Sequence, residues 1–409
     1  MKRRHVIIVG GGASGLVAAI SAARCGARVT IVEQKDRVGK KILSTGNGRC
    51  NLTNEYMTAD CFRGDDTSIV AKVLEQFGYQ ETMQFFEELG VILKERQGYV
   101  YPISDQASTI LDVLRMEVAR LGVHLLLEQS VTEIVPSQRG FVVKTSKTSL
   151  IGDALILATG GKAAPTLGSD GSGYALAKEL GHHLSPVVPA LVQLKGKGNF
   201  WKQVAGVRTQ AKVSLYIEQQ FVADDTGELQ LTNYGISGIP VFQISRYAAK
   251  GLQEKKSVTA EIDFMPHMSE SEFDCFMKER IKTHGHKMAE DFLIGVFHKK
   301  IIGLLLKVAQ LSNSDEVNQI EETKWQAVIK LCKHFRVEIE ATNDFEQAQV
   351  CAGGVKTSEL NASTMESLCM DNLYLTGELL DIDGICGGYN LQWAWSTGYI
   401  AGKFAAKGN

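Results

Sequence analysis

A strand, glycine turn, helix and second strand at the start of the chain, a second glycine turn near residue 160 and a glycine-rich helix entry near residue 388 predict an α/β fold. In this fold a Rossmann-like dinucleotide-binding domain, assembled from both ends of the chain, encloses a middle that reads first as β-rich and then as helical. At 409 residues the chain exceeds the roughly 250 to 300 that one growing core supports, so more than one domain is expected.

His5 to Val9 is a β-branched run that ends at Gly10-Gly11-Gly12-Ala13-Ser14-Gly15, after which Leu16, Ala19, Ile20 and Ala23 recur at helical spacing. Gly26 is placed to cap that helix, and Arg28 to Val32 forms the second strand, ending at Glu33. Gly10 permits the tight turn, Gly12 lets the backbone approach a pyrophosphate, and Gly15 lets helix and strand pack closely. The helix N-terminus, with Ala13 and Ser14, attracts the diphosphate. Glu33, eighteen positions after Gly15, is placed to accept both ribose hydroxyls of an adenosine, with Gln34 beside it. A terminal acid disfavours a 2′-phosphate, so FAD or NAD is expected rather than NADP.

The next segment separates those two. Arg37-Val-Gly-Lys40-Lys41 continues into Ser44-Thr-Gly-Asn47-Gly-Arg49-Cys50-Asn51, a glycine-rich polar loop of the kind found in FAD proteins of the glutathione-reductase type, where the chain follows the cofactor toward its flavin. Lys40, Lys41, Asn47, Arg49, Cys50 and Asn51 are therefore expected to contact FAD.

Residues 68 to 89 read as helices, Tyr99 to Pro102 as a hairpin edge, and Ile110 to Leu121 as a helix stopped by Gly122. Val123 to Leu127, Ser130 to Ile134, Phe141 to Val143 and Ala154 to Leu157 read as strands. Val131 is assigned by position to the adenine ring. Thr159 and Gly160 belong to a turn, Ala158 to Gly161, whose small residues let a loop pass close to the cofactor.

Near the C-terminus a short strand, Leu373 to Thr376, leads to Gly377-Glu378 and then to Gly387-Gly388-Tyr389-Asn390-Leu391, where a further helix starts. An acidic residue after a late strand and a helix N-terminus aimed at the flavin N1/C2=O edge stabilise negative charge on a reduced flavin. Gly377, Glu378, Gly388, Tyr389, Asn390 and Leu391 are the expected contacts.

Lys plus Arg (44) nearly balance Asp plus Glu (46), which provides no basic field for nucleic acid or anionic lipid, so a small-molecule partner is expected. The basic start Met-Lys-Arg-Arg is followed by glycines that would break a signal peptide, and no run approaches the roughly eighteen apolar residues of a membrane span. The reading is a cytoplasmic protein without nucleic-acid or membrane partners; its oligomeric state is left open. Eight scattered cysteines form no C-x-x-C pair, and the histidines, including His182-His183, fall at no familiar zinc spacing, so no metal site is expected.

GGGASG (10 to 15), STGNGRCNLTN (44 to 54), ATGG (158 to 161), GSDGSGY (168 to 174), CAGGV (351 to 355), TMES (364 to 367) and GELLDIDGICGGYNLQWAWSTG (377 to 398) together resemble one family. It is that of the bacterial aminoacetone-oxidase-like or NAD(FAD)-utilizing dehydrogenase flavoproteins. This resemblance implies a discontinuous FAD domain (1–190 and 347–409), an inserted β-barrel-like domain (191–268, returning over 336–346) and a nested helical segment (269–335). At Leu231 to Pro240 the chain departs from a Phe-Thr-His and Ser-Gly-Pro pattern, which puts any role of that histidine in doubt.

The resemblance implies hydride chemistry at flavin N5 with NAD(P)H docking transiently, since no second dinucleotide fingerprint is present; Gly168 to Gly173 reads as scaffold beside the flavin. The chain is most similar to the clostridial 3-dehydro-bile-acid delta(4,6)-reductase type, which implies reduction of a C=C bond conjugated to a 3-ketone. Oxidation of a small amine such as aminoacetone is the alternative, and a redox sensor or RNA-modifying flavoprotein is a third reading. Tyr234, Tyr389, Arg49 and Cys50 are the candidates for proton or oxyanion roles.

Overall fold

The longest uninterrupted buried strand of the first half, His5–Val9, sets the centre of the architecture. A computed structural model describes residues 3–138 and 140–408; Met1 and Lys2 of the basic start lie outside them. β1 (His5–Val9) is buried along its whole length and leads through the glycine turn into α1 (Ala13–Arg24), which returns the chain to β2 (Arg28–Val32). Gly26, with φ of 90°, ends α1 in the left-handed conformation that glycine adopts without a Cβ penalty. Two helices, Ser68–Gln76 and Tyr79–Glu88, and the hairpin Leu93–Arg96/Tyr99–Pro102 follow. Then come α2 (Ala107–Arg120), β3 (His124–Leu126), β4 (Ala154–Leu157) and β5 (Leu184–Ala190).

The chain divides into two compact units, one holding the residues up to Val188 and from Gln349 onward, the other Pro189–Ala348. In the second unit, β6 (Leu194–Gly196), β7 (Arg208–Ile217), β8 (Gln220–Leu231) and β9 (Gly235–Gly238) precede α3 (Ile239–Gln253), and β10 (Val258–Asp263) and β11 (Phe335–Thr342) complete a closed barrel in the order β6-β9-β8-β7-β10-β11. Closure leaves no unpaired edge. Alternate residues of β7 and β11, among them Ala211, Val213, Leu215, Val337 and Ile339, are buried in its core. Helices Glu270–His284, Lys299–Val308 and Glu322–Lys333 lie between β10 and β11 in the chain and share that core through Phe273, Leu305 and Val328.

α3 is a helix within the stretch expected to be β-rich, 191–268. Val241, Ile244 and Ala248 are spaced for one helical face, and Pro240 stands in the first turn, where its missing N–H costs nothing. The helical signal was in the sequence, inside a stretch dominated by β-branched runs.

The chain re-enters the first unit through β12 (Val350–Val355), which pairs with β5, then adds β13 (Leu373–Leu375) and ends on α4 (Tyr389–Lys407). The central sheet is parallel in the order β13-β4-β1-β2-β3. α4 packs against α1 through small residues: a Cβ on Gly398 would stand 2.3 Å from the Ser14 carbonyl, and one on Gly402 would stand 2.2 Å from the Ala18 carbonyl. Among the described residues no helix is long and apolar enough to cross a membrane.

Candidate functional site

The β1–α1 turn is shaped by what its glycines lack. Gly10 has φ of 99°, and a Cβ there would lie 2.5 Å from the Ala158 carbonyl; on Gly15 one would meet the Gly10 carbonyl at 2.0 Å. At Gly12, by contrast, a Cβ would find nothing within 4 Å, because the residue faces an open cavity. The Gly11 amide donates to Glu33 Oε2 and the Lys35 amide to Oε1, both at 2.8 Å. Two fixed donors hold the buried carboxylate on the cavity wall, leaving one acceptor site on each oxygen for hydroxyl groups of a ligand.

The cavity, of about 290 Å³, is walled by the first unit. Gly10, Gly12, Ala13, Ser14, Glu33 and Gln34 form one side, and Lys40, Lys41, Val131, Thr159, Gly160, Glu378, Asn390 and Leu391 contribute the rest of the expected set. Gly15, Asn47, Arg49, Cys50, Asn51, Gly377, Gly388 and Tyr389 are not on the wall. Residues missed by the sequence reading include Arg37, Gln129, Ser130, Ser169, Asp170, Gln349 and Val350. Gln129 and Ser130 adjoin Val131, and Ser169 and Asp170 sit in the glycine-rich segment read as scaffold. Gln34 Nε2 donates to the Gly168 carbonyl at 2.8 Å and draws that segment to the Glu33 side. Asp170 is held below the usual carboxylate range: burial opposes this, but the Ser172 hydroxyl and amide, both donating to Oδ1, outweigh it.

Two helix N-termini open onto the same space, α1 through Ala13 and Ser14, α4 through Asn390, Leu391 and Ala394. Their free N–H groups favour negative charge. Gly388 caps α4 with φ of 96°, and a Cβ there would lie 2.8 Å from the Thr53 carbonyl oxygen and 3.0 Å from Asn51 Oδ1. Asn51 Oδ1 is itself buried without a hydrogen-bond partner. Lys41 Nζ pairs with Glu378 Oε2 at 2.7 Å, and the Cys351 amide donates to Glu378 Oε1 at 2.8 Å, so these two expected contacts also hold each other. The Asn390 amide is engaged with the Gly384 backbone in both directions, fixing the loop before α4.

The open cradle at Gly12, the ribose-type acid and the paired helix ends fit a dinucleotide with a long anionic backbone, as FAD has. Glu33, Gln34 and the α1 terminus would hold its adenosine and diphosphate, and Lys41, Glu378 and the α4 terminus its flavin half.

The four candidates for proton or oxyanion roles separate. Cys50 is fully buried off the cavity wall, and burial pushes its thiol up to about 12. Tyr389 is buried edge-on against Phe62, with its phenol raised by burial and by Cys61. Arg49 is exposed. Tyr234, half-buried in the second unit, accepts a hydrogen bond from Asn343 Nδ2 at 3.0 Å, which leaves its own O–H to donate.

Residues 4–404 match the family described as HI0933-like protein Rossmann domain. The chain is 52% identical over 402 residues, 98% of both chains, to the 3-dehydro-bile acid delta(4,6)-reductase of Clostridium scindens. It is 28% identical over 406 residues, again 98% of both, to the ribosomal RNA dihydrouridine synthase of Escherichia coli. Among solved structures it is similar in fold to 3-ketosteroid delta1-dehydrogenase from Sterolibacterium denitrificans, with a TM-score of 0.51, 13% identity and coverage of 98% of this chain and 99% of that one. The glycine motifs, the parallel sheet and the match along nearly the whole length agree: the chain belongs to the HI0933-like Rossmann family.

Proposed function

We propose that this FAD-dependent oxidoreductase of CH–CH groups reduces C=C bonds conjugated to a ketone, in a 3-oxo steroid or bile-acid type of enone, at the expense of NADH or NADPH. The observation that carries the reading is the 52% identity along 98% of both chains with a 3-dehydro-bile acid delta(4,6)-reductase. Bound FAD supplies hydride transfer from the nicotinamide to the enone β-carbon. The chain's residues bind and orient: Glu33 fixes the adenosine end, the α1 terminus the diphosphate, and the α4 terminus presents N–H groups where negative charge develops. A cytoplasmic setting belongs to the reading, because reduced nicotinamide and reduced thiols coexist there.

A second reading rests on the dihydrouridine synthases, 28% and 29% identical over 98% and 96% of this chain. Dihydrouridine carries two hydrogens across a carbon pair that uridine holds as a double bond, so those relatives also saturate C=C, with RNA as substrate. The net charge of −2 provides little attraction for RNA and favours the small enone.

The test is anaerobic. The purified protein is reduced with NADH or NADPH, and flavin reoxidation is followed separately with a 3-oxo-4-ene steroid acid, unmodified ribosomal RNA and oxygen. Rapid reoxidation by the enone alone is expected. Reoxidation by RNA with an inert enone selects the second reading, and flavin reduction by an amine with reoxidation by oxygen selects an amine oxidase.

A further inference from the structure

The first unit holds a second cluster of chemistry-bearing side chains, and none of its members lines the cofactor cavity. We propose that His182, Glu359 and Cys369, with His183 as the fourth donor, bind Zn²⁺ and staple together the two chain segments that build this unit. His182 and His183 immediately precede β5, on which the chain leaves the unit, whereas Glu359 and Cys369 follow β12, on which it returns.

The geometry is close to that of a zinc site. One ligand atom each from His182, Glu359 and Cys369 lies within 4.8 Å of the others. His182 Nδ1 is 2.9 Å from Glu359 Oε2, and His183 Nδ1 is 2.7 Å from Glu359 Oε1. Tetrahedral zinc, with bonds of about 2.0 to 2.3 Å, spaces its ligand atoms about 3.3 to 3.8 Å apart. Among His182, Glu359 and Cys369 the close pair must open and the wide ones close, each by roughly 1 Å or less, whereas His183 stands outside that group of three and must swing in from the surface. Cys369 and His183 are exposed and free to make that adjustment, while His182 is buried and fixed.

Ser367 supplies the support that such sites require. Its Oγ lies 2.9 Å from His182 Nε2 and accepts the amides of Cys369 and Met370, each at 3.0 Å. One hydroxyl therefore orients the imidazole and shapes the turn that carries the thiol. Imidazole, carboxylate and thiolate together select zinc over calcium or magnesium. One carboxylate and one thiolate also neutralise the dication, which suits a half-buried position. On binding, the thiol proton leaves to solvent and the His182 ring proton moves to Nε2, where Ser367 Oγ gives up one of its two amide donors to accept it. No local spacing announces the cluster, because His182 and Glu359 are 177 positions apart.

The test uses the full-length, FAD-loaded protein. It is stripped with a chelator, titrated with Zn²⁺ and, in parallel, with Co²⁺, whose tetrahedral d–d bands fall at longer wavelengths than flavin absorption. Wild type is expected to retain one equivalent of zinc through dialysis and to show those bands. Zinc should raise its thermal midpoint by roughly 5 °C or more. Cys369→Ser and His183→Gln, both surface changes, should keep FAD and the fold while binding zinc at least about 100-fold and about 10-fold more weakly. Absence of stoichiometric zinc in wild type, or equal binding by Cys369→Ser, overturns the proposal.

Discussion

Glu33 serves the chain and its ligand at once, and substitutions can separate the two roles. Glu33→Ala leaves the Gly11 and Lys35 amides without an acceptor, a loss of about 1 to 3 kcal/mol for each if both stay dry, and removes the ribose contacts. Both the thermal midpoint and the flavin content of the purified variant should fall. Unchanged flavin content would count against the adenosine placement. Gly12→Val differs: the space is open, so the fold should hold while the side chain takes the diphosphate's place, giving the midpoint of FAD-free wild type and no flavin spectrum. The polar loop at 44 to 51 marks the limit of reading at this scale. Its composition indicated proximity to a cofactor, but not that Cys50 turns into the core while Arg49 points to solvent.

Elements were most legible where their burial is continuous. β1, β2 and β4 are short runs dominated by β-branched and aliphatic residues, so pattern and structure coincide there almost residue for residue. α3 was obscured by its neighbours' β character, and the barrel order could not be read because its closing partners, β6 and β11, pair across more than 140 positions. Elements are also joined by charge. Glu117 on α2 accepts from Arg120 Nε at 2.6 Å and from Arg24, at the end of α1, at 3.0 Å, and these arginines hold its carboxyl below the usual range. A depressed carboxylate stabilises the fold above its unfolded pKa of about 4.3 and ceases to do so as pH falls through the folded value. Glu117→Gln should therefore lower the thermal midpoint by a few degrees at pH 7. The gap to wild type should close in acid; an equal gap at pH 3 would mean that packing, not charge, is responsible.

At the scale of the molecule, the residues lining the cofactor cavity belong to one unit and the barrel core to the other. β5 and β12, which carry the chain out and back, pair with each other, and a Cβ on Gly353 would stand 2.1 Å from the Pro186 carbonyl. Replacing Pro189–Ala348 by a few Gly and Ser residues should thus leave a protein that takes up FAD, visible as a flavin spectrum after desalting, but no longer reduces enones. Failure of the excised chain to fold would show that the second unit is needed to form the first.

That layout also dictates an order of events during synthesis. Glu378, Asn390, Leu391 and Ala394 reach the cavity only after the ribosome has made the whole insert, a stretch of about 160 residues that takes on the order of 10 to 30 s at bacterial rates. The barrel has all six of its strands in hand before β13 or α4 exists. Cofactor capture is therefore among the last steps in the maturation of the nascent chain, and ribosome-bound chains stalled before residue 373 should be colourless.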